Sequence, residues 1–393
     1  MNGNIIGLTN NGVQLSGSKF TSKEIREQPE LWLKTKDLFL SKIDEIKNFL
    51  DHVFQNEDIQ IILTGAGTSA YIGEVLAGPM QKHINLPVRA IPSTDLVTHP
   101  ELYILKHKPT LLISFARSGN SPESVKSVEI ANIISSNVYH LIITCNEKGK
   151  LATTFNSKNT FVILLPPESD DKSLAMTGSF TSMLLTGLFI ANIDNLSLVK
   201  KQVDILYEYG EHFFNTYIED VKKIAKLKFN RAVFLGSGLF SGIARESHLK
   251  LQELTDGKII CKHDTFLGFR HGPKAVIDGK TLLVYLFSNN KYSQKYEIDL
   301  VNSVNSGETG CFKVGVMENE IPEIKLDTKI IFSKIGNKLE EEFLTIVSVL
   351  FAQTLGFFKS LDLGLEPDSP SERGMIHRVV QGVKLYDYKN KEL

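Results

Sequence analysis

Cysteine is scarce in this chain. Three residues of 393, Cys145, Cys261 and Cys311, stand far apart, with no C-x-x-C pair and no histidine pair nearby. That spacing excludes a disulfide framework and a structural zinc site, and it makes a reducing cytoplasm the expected location. Long hydrophobic runs are missing too: no window holds eighteen consecutive apolar residues, so no membrane span is expected. The opening MNGNIIGLTNNGVQLSGSKF lacks the basic-then-apolar order of a secretion signal, so secretion is not expected either. Charge of one sign is not in excess. Forty-four Lys and Arg face forty-five Asp and Glu, and a net charge of −1 supplies no field that would gather nucleic acid or an anionic membrane. What remains is a globular composition, 42% apolar and 23% charged. At roughly 150 residues per domain the length predicts two to three domains.

The chain repeats itself once. Ile59 to Val75 reads IQIILTGAGTSAYIGEV and Arg231 to Ser247 reads RAVFLGSGLFSGIARES, each an apolar run, a Gly-x-Gly and a segment of helical composition. The register continues: KPTLLIS (Lys108–Ser114) matches KTLLVYL (Lys280–Leu286), YHLIIT matches CFKVGV, and FVILL matches KIIF. Alternating strands and helices with continuous β-branched runs predict parallel sheets covered on both faces. The expected fold is therefore α/β, with two tandem doubly wound, flavodoxin-like domains joined by helix around Leu198 to Lys228. Thr21 and Glu24 have capping-box spacing, which predicts a helix start there and helices to about His52. We place an N-terminal helical segment at 1–44, the first domain at 45–200, the second at 210–365 and a C-terminal tail at 366–393.

The halves differ where chemistry is expected. The second strand of the first half runs into SFARSGNSPES (Ser114–Ser124), which places small hydroxylated residues and glycine at the start of a helix. Backbone N–H groups and hydroxyls at a positive helix end form an anion cradle. Arg117 adds a charged donor and Ser118, Ser121 and Ser124 add hydroxyls, so a phosphate monoester suits it. A helix cap explains the same residues about equally well. The equivalent LFSNNKYSQKY of the second half lacks the Ser-Gly core, so one phosphate site per chain is expected. A dinucleotide site is the weaker reading of Gly65-Ala-Gly67, because no acidic residue closes the next strand.

The second half carries the acid–base candidates. Glu246, Lys250 and Glu253 fall at i, i+4 and i+7 and share a helix face, a spacing that usually means a solvated ion-pair surface. The helix follows a Gly-x-Gly, however, and its start lies where α/β folds bind ligands. His271, in Phe269-Arg270-His271-Gly272-Pro273, sits in a turn fixed by glycine and proline, a place for a functional imidazole.

Together these residues resemble the sugar isomerase (SIS) domain family, in particular the isomerase half of glucosamine-6-phosphate synthase, over roughly residues 40 to 390. LTGAGTSAYIGE, SFARSGNSPES, AMTGSFTSM, ESHLKLQELT, GFRHGPK and RVVQGV are similar, more narrowly, to the bacterial galactosamine-6-phosphate deaminase/isomerase group. The resemblance implies a sugar-phosphate substrate bound by Gly67, Thr68, Ser69, Arg117, Ser118, Asn120 and Ser121, with Ala175 of AMTGSFTSM. It implies Glu253 as the base that moves the C2 proton, Lys250 beside it, and His271 as the ring-opening group. In the synthase that histidine comes from the neighbouring subunit, which implies a homodimer or a dimer of dimers with shared sites. No metal and no organic cofactor is implied. The family's Schiff-base lysine falls on Arg378, and arginine stays protonated, so Arg378 is expected instead to clamp the open sugar or its enolate. A plain aldose/ketose isomerase and a non-catalytic sugar-phosphate sensor are the alternatives. A sensor has no use for the base and the histidine.

Overall fold

The structure, a computed structural model, describes residues 17–135, 137–155, 157–307, 310–333 and 338–388. The first sixteen residues of the expected helical segment and the last five of the tail lie outside the described residues. Three helices open the chain: α1 (Lys19–Arg26), α2 (Gln28–Ser41) and α3 (Ile43–Phe54). The first repeat follows as β1 (Gln60–Thr64), α4 (Thr68–Ile84), β2 (Val88–Ala90), α5 (Ser93–Thr98), β3 (Thr110–Ala116), α6 (Pro122–Ile134), β4 (Val138–Thr144), α7 (Lys150–Thr154), β5 (Thr160–Leu164) and α8 (Gly178–Ala191). Next come α9 (Leu196–Thr216) and α10 (Ile218–Ala225). The second repeat holds β6 (Arg231–Leu235), α11 (Phe240–Leu254), β7 (Ile260–Asp264), β8 (Thr281–Leu286), α12 (Lys291–Asn305), β9 (Phe312–Met317), β10 (Thr328–Ile331) and α13 (Glu341–Asp362).

Both sheets are parallel, with orders β2-β1-β3-β4-β5 and β7-β6-β8-β9-β10. Numbered within each repeat, both read 2-1-3-4-5, the flavodoxin-like order that the repeat predicts. Strands β1, β3, β4 and β8 are buried along their whole length, as their continuous apolar runs require. The edge strand β7 was not expected: ICKHD is mixed in character and only partly buried, so it carries no continuous apolar signal.

Two units interleave along the chain. One comprises the described part of Met1–Trp32, Asp171–Thr177 and Lys200–Met375; the other comprises Leu33–Asp170, Gly178–Val199 and the described part of Ile376–Leu393. The second sheet lies in the former and the first sheet in the latter. In the first-sheet unit, Ile62, Leu112, Ile142, Val128 and Leu151 form the centre of the core, and α8, buried at every position, packs on α4. In the second-sheet unit, Val233, Leu283, Tyr285, Phe266 and Phe269 play that part. Helix α13 packs on α10 and α11. Among the described residues it is the one helix long and apolar enough to cross a membrane, and 94% of its most apolar window is buried inside the protein.

The capping-box reading fails. Helix α1 starts at Lys19, ahead of Thr21, so Thr21 and Glu24 both lie inside it. The Thr21 hydroxyl donates to Asp368 Oδ1 (2.8 Å), and Glu24 accepts from the Lys172 and Ser173 amides and the Ser173 hydroxyl. A spacing that marks a local cap serves here as a long-range clamp on the segment after β5. Burial and the nearby Asp171 push the Glu24 carboxyl up to about 7.

Candidate active site

In the first-sheet unit, the order of the strands reverses between β1 and β3, and ligands of open α/β sheets bind outside the strand ends at that point. Both candidate loops are there. After β1, Gly65 passes so close to α4 that a Cβ would sit 2.6 Å from the Ser69 backbone, and Gly67 adopts φ +56° at the helix start. Thr68 and Ser69 are buried on the first turn of α4. After β3, Arg117-Ser118-Gly119-Asn120-Ser121 turns into α6, with Pro122 at its first position. The Ser121 side chain makes no capping bond, so its hydroxyl is not spent on the helix.

A second turn fastens that loop from the side. Asn146 Nδ2 donates to the Ser118 carbonyl (2.9 Å), Leu151 N to the Gly119 carbonyl (3.0 Å) and Lys150 N to Asn120 Oδ1 (3.0 Å). Gly119 takes φ +64°, and a Cβ on Gly149 would stand 2.6 Å from the Ser118 carbonyl oxygen. The loop is therefore held rigidly with hydroxyls and backbone N–H groups at a helix N-terminus, which is the architecture of an anion site.

Arg117 is 5% exposed, and its Nη2 donates to the carbonyl oxygen of Arg378 at 2.6 Å. Arg378 in turn pairs through Nη2 with Asp170 Oδ1 at 2.6 Å. The two guanidinium groups are thus linked through the tail backbone, a connection that the sequence did not suggest. Asp170 is a participant that sequence reasoning missed; nothing in its neighbourhood, PPESDDKS, marks it. Arg378, expected as a clamp on the sugar, has its charge engaged by this carboxylate.

In the second-sheet unit, α11 carries the ionic stripe. Lys250 Nζ lies 2.7 Å from Glu253 Oε2 and 3.4 Å from Glu246 Oε1. The solvated-face reading of this spacing is wrong: the Glu246 and Lys250 side chains are 0% and 1% exposed, and only Glu253, at 24%, reaches solvent. Interior charges are costly unless paired, so the stripe is a built feature with one carboxylate presented at its open end. Gln252, on another face of α11, accepts from Cys261 N of β7 (3.3 Å), and His248 stacks on His263 at 4.8 Å between ring centres. Burial lowers the His248 pKa to about 4 and keeps that ring neutral.

His271 is exposed on a short turn anchored by the fully buried Phe266 and Phe269. Phe269 N bonds the Thr265 carbonyl, Phe266 N bonds Ser237 Oγ of the Gly-Ser-Gly turn after β6, and Arg270 pairs with Asp299 at 2.6 Å. Gly272 follows at φ +107°, a conformation for which glycine is required. The backbone that carries this imidazole is thus held by its neighbours.

The second half fills its counterpart of the β3–α6 loop with its own carboxylates. After β8, Ser288 N donates to Glu297 of α12 and the Ser288 hydroxyl to Glu341 of α13. Burial, with Glu341 adding to it, raises the Glu297 pKa to about 8. Ala175, expected at the substrate, is fully buried in the 171–177 segment, where the Ser173 hydroxyl lies 3.0 Å from its carbonyl oxygen. Among the described residues no group of three or more His, Cys, Asp or Glu is placed to hold a metal ion.

The doubled parallel sheet with a serine-rich loop at its first switch point defines the class: the SIS domain family profile matches residues 54–193. D-galactosamine-6-phosphate deaminase AgaS of Shewanella sp. (strain ANA-3) is 38% identical over 376 residues, which span 95% of this chain and 93% of the relative. A solved tagatose-6-phosphate ketose/aldose isomerase from Escherichia coli superposes with TM-score 0.85 at 35% identity, covering 94% of this chain and 97% of that one. A solved Clostridium novyi NT protein gives TM-score 0.93 at 42% identity, over 97% and 100%. This chain belongs to the AgaS family of SIS-domain proteins.

Proposed function

We propose that the protein is an aminosugar-phosphate deaminase/isomerase that converts galactosamine 6-phosphate and water to tagatose 6-phosphate and ammonia. One observation carries the reading: a buried lysine holds two carboxylates on one helix, and only Glu253 reaches solvent. A sugar-phosphate sensor needs no such arrangement. A proton-transfer enzyme does, because a carboxylate fixed by a neighbouring ammonium is oriented before the substrate arrives. The names of the AgaS relatives favour the deaminase over a plain isomerase.

The β3–α6 loop takes the 6-phosphate, using the hydroxyls of Ser118 and Ser121, Asn120 and the first turn of α4 at Gly67, Thr68 and Ser69. His271 moves a proton between the ring oxygen and the anomeric hydroxyl, which opens the ring. Glu253 then removes the C2 proton to give the enolamine and returns a proton to C1, leaving an imine at C2. Water adds to that carbon, the C–N bond breaks, and ammonia leaves with the ketose 6-phosphate as the other product. This sequence uses side chains alone. The resemblance to the synthase, whose ring-opening histidine comes from the neighbouring subunit, supports a homodimer, or a dimer of such dimers, in which His271 of one copy serves its neighbour.

Ammonia release from galactosamine 6-phosphate and glucosamine 6-phosphate, measured in parallel with the sugar product identified, tests the reading. Ammonia and tagatose 6-phosphate from the galacto substrate are expected. Ketose/aldose interconversion of unaminated hexose 6-phosphates with no ammonia would make it a plain isomerase, and binding without turnover a sensor.

A further inference from the structure

We propose that Asp170 is a positioning residue for phosphate binding: by holding Arg378 it seats the tail backbone on Arg117 and so fixes the loop that takes the phosphate. The proposal rests on the β3–α6 loop being the phosphate site. In this proposal Asp170 acts on the loop through the tail.

Among the tail's contacts in the first-sheet unit are two anchors. Arg378 is one, with its side chain on Asp170 and its carbonyl on Arg117 Nη2, both at 2.6 Å. Tyr388 is the other: its hydroxyl donates to Glu101 (2.7 Å) and its ring packs on the core beside α5 and α6. Between them Val380, Val383 and Tyr386 are exposed, while Val379 and Leu385 are partly buried. Of the two anchors only the Arg378 end meets the phosphate loop.

Arg117 stands directly between β3 and Ser118, and it is almost fully buried. A buried guanidinium needs acceptors to hold it in one orientation, since an unpaired interior charge is costly. The Arg378 carbonyl is one such acceptor, and a carbonyl belonging to a tail is only as fixed as the tail. Asp170 supplies that fixity, because a short guanidinium–carboxylate contact is directional as well as charged. Removing the Asp170 charge takes this contact from Arg378, lets its carbonyl shift relative to Arg117, and loosens the residue next to Ser118.

The experiment uses the full chain and two probes, inorganic phosphate and galactosamine 6-phosphate, with binding read by calorimetry and tail seating by the rate of limited proteolysis between residues 379 and 387. Asp170→Asn and Arg378→Ala should each weaken phosphate binding roughly five- to tenfold, the size of one ordinary hydrogen bond, because the effect is indirect, and each should speed cleavage of the tail. Because both break the same link, the double variant should bind no more weakly than either single one. Asp170→Glu should restore part of the affinity. Unchanged phosphate affinity in Asp170→Asn, or effects of the two substitutions that simply multiply, would overturn the proposal while leaving the functional reading intact. A wild-type protein that binds neither probe would remove the phosphate site, and with it both readings; binding without ammonia release would remove only the deaminase.

Discussion

Lys250 Nζ stands 2.7 Å from Glu253 and 3.4 Å from Glu246, with its own side chain 1% exposed. The ammonium therefore serves two purposes: it neutralises a buried carboxylate and orients a partly exposed one. Lys250→Met keeps the volume and removes the charge. It leaves Glu246 buried without this cation, which costs about 3–5 kcal/mol of stability by the usual measure of a broken interior pair. Glu246→Gln added to Lys250→Met should recover most of that loss in denaturant unfolding, yet turnover should stay low because Glu253 has still lost its orienting partner.

Glu253 and His271 are assigned different steps, so their variants should fail differently. Glu253→Gln is expected to bind phosphate normally and to stop exchange of the substrate C2 proton with solvent, by at least a hundredfold. Substantial retained exchange would take the base role from Glu253. His271→Asn should slow turnover of the cyclic sugar while leaving C2 exchange of an open-chain analogue within about threefold of wild type.

The turn beside the phosphate loop leaves no room for a side chain at Gly149, where a Cβ would stand 2.6 Å from the Ser118 carbonyl oxygen and 3.0 Å from Gly119 Cα. Gly149→Ala must push the loop or break its bond with Asn146. A displacement of about 1 Å at a positioning element is enough to cost on the order of a hundredfold in activity. Most of that loss should appear in KM. A normal KM would show that the loop does not carry the phosphate.

Much of this architecture is legible in the residues. The runs QIILT, TLLISFA and TLLVYL have no polar alternation, so they read as strands buried on both faces, and the doubled Gly-x-Gly gives the repeat. The turn from β3 into α6 is legible too, because small hydroxylated residues between a strand and a helix have local meaning. The rest depends on distant partners. Glu24 reads as a cap because Thr21 lies three residues before it, but its partners are 148 and 149 residues away. The stripe of Glu246, Lys250 and Glu253 gives the face these residues share and not what covers it; depth comes from the packing of α13 on α11, which no spacing encodes. Asp170 and β7 carry no local signal at all.

Glu297 makes the strongest pH prediction. It is buried against Ser288 N, with Glu341 beyond the same serine, and its pKa rises to about 8 because of burial. The unfolded chain gives up this proton near its ordinary carboxyl value, whereas the folded chain keeps it to about pH 8. Between those limits the folded state binds more protons, so this group's contribution to stability is complete at low pH and is lost as pH rises toward 8, after which it is level. Glu297→Gln carries no charge to bury and lacks that loss. Melting temperature measured from pH 5 to pH 9 should therefore show the variant gaining on wild type as pH rises, by a few kcal/mol overall at the upper end. The glutamine amide accepts from Ser288 N as the acid does, so at pH 5 the two proteins should differ little. A variant destabilised by the same amount at every pH would mean that Glu297 is ionised in the fold and that donors such as Ser288 N, rather than burial beside Glu341, govern its charge.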